Sequence, residues 1–140
     1  MVGKNARELA AWESRTLSGC LHDLLRDTEV ICALVVRDDA AVLAKVVADA
    51  RFDVDALATF SSMIFASSRM LLQTLGTEGE ILGHMEFGAD NQLLIMGITS
   101  TVALVTFSRT LLARGFMEHR ARAMVPRIVN CLNSTNRPES

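Results

Sequence analysis

The chain has 140 residues, 50% of them hydrophobic, with 14 basic and 16 acidic residues and a formal net charge of −2 at pH 7. That length fits one domain with one core, and the slightly acidic balance lacks the clustered cations by which nucleic acid is bound, so no nucleic-acid partner is expected. A mean hydropathy of +0.28 is high for so small a domain, yet no apolar run approaches the ~20 residues of a membrane span, so the surplus is expected to be buried against a second subunit.

Met1-Val2-Gly3-Lys4-Asn5 leads into charged, helix-like sequence without an apolar signal-peptide core, which predicts a cytoplasmic protein. From Arg7 to about Asp27, the spacing of Leu9, Trp12, Leu17, Cys20, Leu21, Leu24 and Leu25 predicts a first amphipathic helix. Val30 to Val36 is a continuous β-branched run, the pattern of a strand covered on both faces. Arg37-Asp38-Asp39 is a polar turn, and Ala41 to Ala48 is predicted to return as the second strand of a hairpin.

Asp53 and Asp55 precede a long apolar segment, as acidic N-cap and first-turn residues do, and Gly76 stops it after Leu75. This second helix is apolar on two sides. Val54, Leu57, Ala58, Ser61, Ile64, Phe65, Ser68 and Leu72 lie on one, while Phe60, Met63, Ser67 and Met70 lie on the other, and between Ala56 and Leu75 the only charge is Arg69. A helix without a polar face is buried on both sides. Ile81 to Phe87, Leu93 to Ile98 and Val102 to Phe107 are three further strands joined by turns short enough to require an antiparallel meander. A third helix spans about Thr110 to Leu132, with Pro126 expected to kink it or begin a new turn, and Asn133 to Ser140 is a polar tail. One domain over residues 1–132 with a tail over 133–140 is the predicted organisation. The order α-β-β-α-β-β-β-α around a five-stranded antiparallel sheet is of the α+β class.

With the segments Leu24 to Val36 and Asp53 to Leu75 in their places, the chain resembles the roadblock / dynein light-chain family, including its prokaryotic members, over roughly residues 15–132. It departs from that pattern at Asp38-Asp39-Ala40, where the family commonly carries an acidic residue followed by Gly. The resemblance implies a roadblock/profilin-like layered fold. It also implies a homodimer in which the middle helix and third strand of each subunit meet, and a regulatory or scaffolding role toward a small Ras-like GTPase. The spare face of helix two calls for the same dimer, with Phe60, Met63, Ser67 and Met70, and His84 and Glu86 on strand three, as candidate interface residues; a loop or helix three covering that face is the alternative.

The residues do not point to chemistry. No phosphate-binding Gly-x-x-x-x-Gly-Lys-Ser/Thr motif is present, and Lys4 and Lys45 are the only lysines, so the chain is not expected to hydrolyse nucleotide or act as an enzyme. His22, His84 and His119 lack metal-ligand spacing, His84-x-Glu86 reads as an interface or solvated pair, and no metal or cofactor is expected. Cys20, Cys32 and Cys131 stand apart among apolar neighbours and read as reduced thiols. Charge is polarised: Asp38 to Asp90 holds nine acidic against three basic residues, whereas Arg109 to Arg127 holds five arginines against Glu118. Arg114, Arg120 and Arg122 are therefore candidates for binding a charged partner, against the alternative of a solvated helix face. Two other functions remain open: a small-molecule-sensing domain, which needs a polar-lined cavity, and an adaptor subunit of a motor or membrane-associated complex.

Overall fold

The computed structural model describes residues 17–25, 30–109 and 114–136. Helix α1 covers residues 17–25; the rest of the first predicted helix lies outside the described residues. Strands β1 (Val30–Arg37) and β2 (Val42–Val47), helix α2 (Val54–Leu75), strands β3 (Leu82–Phe87), β4 (Asn91–Gly97) and β5 (Val102–Arg109), and helix α3 (Arg114–Asn136) follow. All neighbouring strands are antiparallel, in the order β2-β1-β5-β4-β3.

Strand alternation sends side chains of the sheet to two separate cores. On one side, Cys32, Leu34, Leu93, Ile95 and Val105 pack beneath Leu57, Ala58 and Phe65 of α2. On the other, Ala33, Val35, Leu94, Met96 and Leu104 pack against Leu21 and Leu24 of α1 and Met117, Ala121 and Ile128 of α3. Covering on both faces explains why β1, β4 and β5 read as continuous apolar runs.

Helix α2 begins where expected. Asp53 accepts a hydrogen bond from the Ala56 amide at 3.0 Å, and Gly76, at φ 67°, ends the helix by donating to Gln73 O while Thr77 donates to Leu72 O. Its buried and half-buried serine hydroxyls are satisfied within the helix: Ser61 donates to Leu57 O at 2.6 Å, Ser62 to Thr59 O at 2.9 Å and Ser68 to Ile64 O at 2.8 Å, so serine sits under the sheet without an orphaned donor. Helix α3 passes through Pro126 as one element because that residue lies on the exposed face, where the carbonyl it leaves unpaired can meet water. It continues to Asn136, four residues beyond the end read from the apolar stripe.

The β1–β2 turn explains the departure noted at residues 38–40. Ala40 has φ 73°, a left-handed conformation that its Cβ disfavours. The turn holds because Asp39 anchors it, accepting from Arg37 Nη2 at 2.8 Å and from the Ala41 amide at 3.1 Å, contacts that bring its carboxyl down to about 2. Ala40→Gly is expected to stabilise the protein by about 1 kcal/mol in urea unfolding, by relieving that backbone strain.

Burial beneath α2 pushes the Cys32 thiol from 9.0 up to about 11, with Lys45 partly opposing the rise. Because the folded value is raised, the thiol supports folding fully below about pH 9, and this support is lost as pH climbs toward 11. The chain has no tyrosine to mask the effect. Stability is therefore expected to fall by up to about 2 kcal/mol across that window, and less in Cys32→Ala, as followed by unfolding at stepped pH.

Candidate functional site

Among the described residues, the outer side of α2 is an uncovered apolar surface. Phe60, Met63 and Met70 are 45%, 63% and 66% exposed, Ser67 is exposed beside them, and Leu71 and Leu75 continue the surface toward the helix end. Their three- and four-residue spacing puts them on one helix side, with Leu57, Ser61 and Phe65 turned to the sheet. The surface extends to β3 through Phe60, whose ring meets Phe87 edge-on with centroids 6.2 Å apart. Met85, two residues before Phe87 on the same sheet face, is also exposed.

Among the described residues, strand β3 ends the sheet and leaves one side of its backbone open. Gly97 donates to Ile81 O at 2.8 Å, and hydrogen-bonded pairs alternate along an antiparallel ladder, so Gly83, Met85 and Phe87 turn their backbone groups toward β4. The N–H and C=O groups of Leu82, His84 and Glu86 then point outward, a row able to pair with another strand.

The structure brings Phe60, Met63, Ser67 and Met70 together as the sequence suggested. His84 and Glu86 lie differently. Their side chains share the sheet face of Leu82 and Leu94, on the α1 and α3 side, so they adjoin the apolar surface only through the backbone edge. His84 Nε2 lies 2.9 Å from Gln92 Oε1; Gln92 Nε2 donates to Arg109 O at 3.0 Å, which leaves Oε1 as acceptor and makes His84 Nε2 the donor. Sequence reasoning missed Leu71, Leu75 and Met85. Met85 was detectable by alternation, being the apolar residue between His84 and Glu86 that must face the other way.

Two of the three candidate arginines are engaged within the chain. Arg120 donates to the Asp23 backbone carbonyl, and Arg122 Nη1 pairs with Glu80 Oε1 at 2.6 Å, which raises the guanidinium above its usual range. The Arg114 side chain lies outside the described residues. Among the described residues no group of three or more His, Cys, Asp or Glu could hold a metal ion, and no helix is long and apolar enough to cross a membrane.

The sequence matches no protein-family model and no curated protein. Solved structures are similar. Myxococcus xanthus MglB superposes with a TM-score of 0.79 at 16% identity, covering 90% of this chain and 94% of that one. An MglB described as having a tetrameric arrangement gives 0.74 at 19% identity, covering 87% and 91%. A Roadblock/LC7 domain from Streptomyces avermitilis gives 0.63 at 14% identity, covering 86% and 95%. The exposed side of α2, the open β3 edge and the two-sided core are thus set on the fold shared by MglB and the Roadblock/LC7 domain.

Proposed function

We propose that the chain works as a homodimeric, non-catalytic regulator or scaffold for a small Ras-like GTPase. The observation that carries self-association is the apolar outer side of α2 lying next to an unpaired strand edge. A twofold contact there would let α2 pack on its partner's α2 while β3 pairs with its partner's β3, burying both features at once. The tetrameric arrangement named for one MglB structure supports assembly through copies of the same chain. The GTPase as partner rests on the resemblance to prokaryotic roadblock proteins together with the shared fold. Regulation would work by positioning the GTPase's own groups. The sensing alternative gains less support, because the space between α2 and the sheet is filled by Phe65, Leu34, Ile95 and Val105, each at most 1% exposed.

Retention on the immobilised chain of a Ras-like GTPase from its native host extract, followed by titration of the purified pair, tests the reading. A GTPase bound by the dimer, with no GTP turnover by the chain alone, is the expected result. Turnover by the chain alone, or a native extract yielding no such GTPase, would overturn it.

A further inference from the structure

A second feature lies across the sheet, between α1 and α3. Asp23 of α1 holds α3 at two points: its carboxylate accepts from Arg127 Nη1 at 2.9 Å, and its backbone carbonyl accepts from Arg120. One turn back along α1 from Asp23 is Cys20, and one turn onward along α3 from Arg127 is Cys131. Arg127 is charge-coupled to both of these thiols as well as to Asp23, so the two cysteines neighbour each other across the α1–α3 contact. After burial, the neighbouring Cys20 is the next cause that holds the Cys131 thiol above its ordinary range. Cys20 is 1% exposed in the core on this side, and Cys131 packs against the same core while keeping part of its surface in solvent.

We propose that Cys20 and Cys131 form a reversible disulfide that staples α1 to α3 in the folded protein, made by exchange with a small disulfide such as oxidised glutathione. Cys131 is the accessible member and reacts first. Its thiolate attacks one glutathione sulfur, giving a mixed disulfide and releasing one glutathione. Cys20 then attacks Cys131 Sγ and releases the second. The protein gives up two electrons and two protons, and the glutathione disulfide takes them up as two thiols. Burial holds the Cys131 thiol above its ordinary range, with Arg127 partly opposing this, so exchange is slow near neutral pH and quickens as pH rises. Cys32 does not compete, being fully buried on the other face of the sheet.

Reduced full-length protein incubated with oxidised glutathione at pH 8.5, then alkylated in denaturant and digested, tests this. One cross-linked peptide pair containing Cys20 and Cys131 is expected, with Cys32 alone alkylated. Closing a loop of roughly 110 residues should raise the thermal midpoint by ~5 °C or more over the reduced form. Cys20→Ser should stop at the mixed disulfide on Cys131, and native Cys131→Ser should not react. A wild-type protein that stays at the mixed disulfide, links through Cys32, reacts only in denaturant, or melts lower once cross-linked would overturn the proposal.

Discussion

Replacing Met63 with Asp is expected to dissociate the dimer while leaving each subunit folded. Met63 is 63% exposed on the outer side of α2 and takes no part in the core beneath the helix, so the subunit loses little. In a twofold assembly the same patch meets itself, and two introduced carboxylates would come close together in a desolvated contact. Like charge and lost hydration together oppose association by several kcal/mol, a rise of a hundredfold or more in the dissociation constant. Gel filtration with circular dichroism reads both halves of the claim: a smaller species with an unchanged spectrum. Arg122→Glu is the matched control. It breaks an exposed ion pair with Glu80 on the α3 side of the sheet, and should leave the dimer intact while altering only the binding of a charged partner. If Met63→Asp stays dimeric and Arg122→Glu falls apart, the interface lies on α3.

Phe65→Ala should produce the largest loss of subunit stability. Phe65 is 0% exposed and, among the described residues, is the largest of the fully buried side chains. Its ring reaches Gly97 of β4 so closely that a Cβ there would stand 3.3 Å from Phe65 Cε1, so the sheet gives up a side chain to admit the ring. Removing it opens a cavity that α2 cannot close without pulling Leu57 and Ala58 off the sheet, at about 3–5 kcal/mol. That is a large share of the roughly 5–15 kcal/mol that holds a domain together. Urea unfolding at fixed protein concentration measures it, since the proposed dimerisation would make stability concentration-dependent. A loss under about 1 kcal/mol would mean that Phe65 does not anchor α2.

Much of the fold was legible because its elements carry local signals. Val30 to Val36 reads as a covered strand, Asp53 and Gly76 mark both ends of α2, and the second apolar side of that helix shows as Phe60, Met63 and Met70 without any long-range information. What stayed hidden depends on residues distant in sequence. The Arg109 to Arg127 stretch read as a basic patch with Arg114, Arg120 and Arg122 as partner-binding candidates, but Asp23 and Glu80, 42 to 104 positions away, take up Arg120, Arg122 and Arg127. The pairing of Cys20 with Cys131 is invisible for the same reason. His84 and Glu86 were assigned to the α2 interface because strand three was expected there as a whole. Alternation splits the strand, and Met85 and Phe87 are the side chains that face α2's side. Ala40 shows a third kind of gap, since a positive φ in a residue with a Cβ leaves no mark in composition.

Sedimentation equilibrium on the full chain, from one to tens of micromolar, tests most directly whether the outer side of α2 is a self-association surface. A species of twice 15.3 kDa across that range is the predicted result. A well-folded species of 15.3 kDa at tens of micromolar would contradict it, because an apolar interface of this kind should hold at such concentrations.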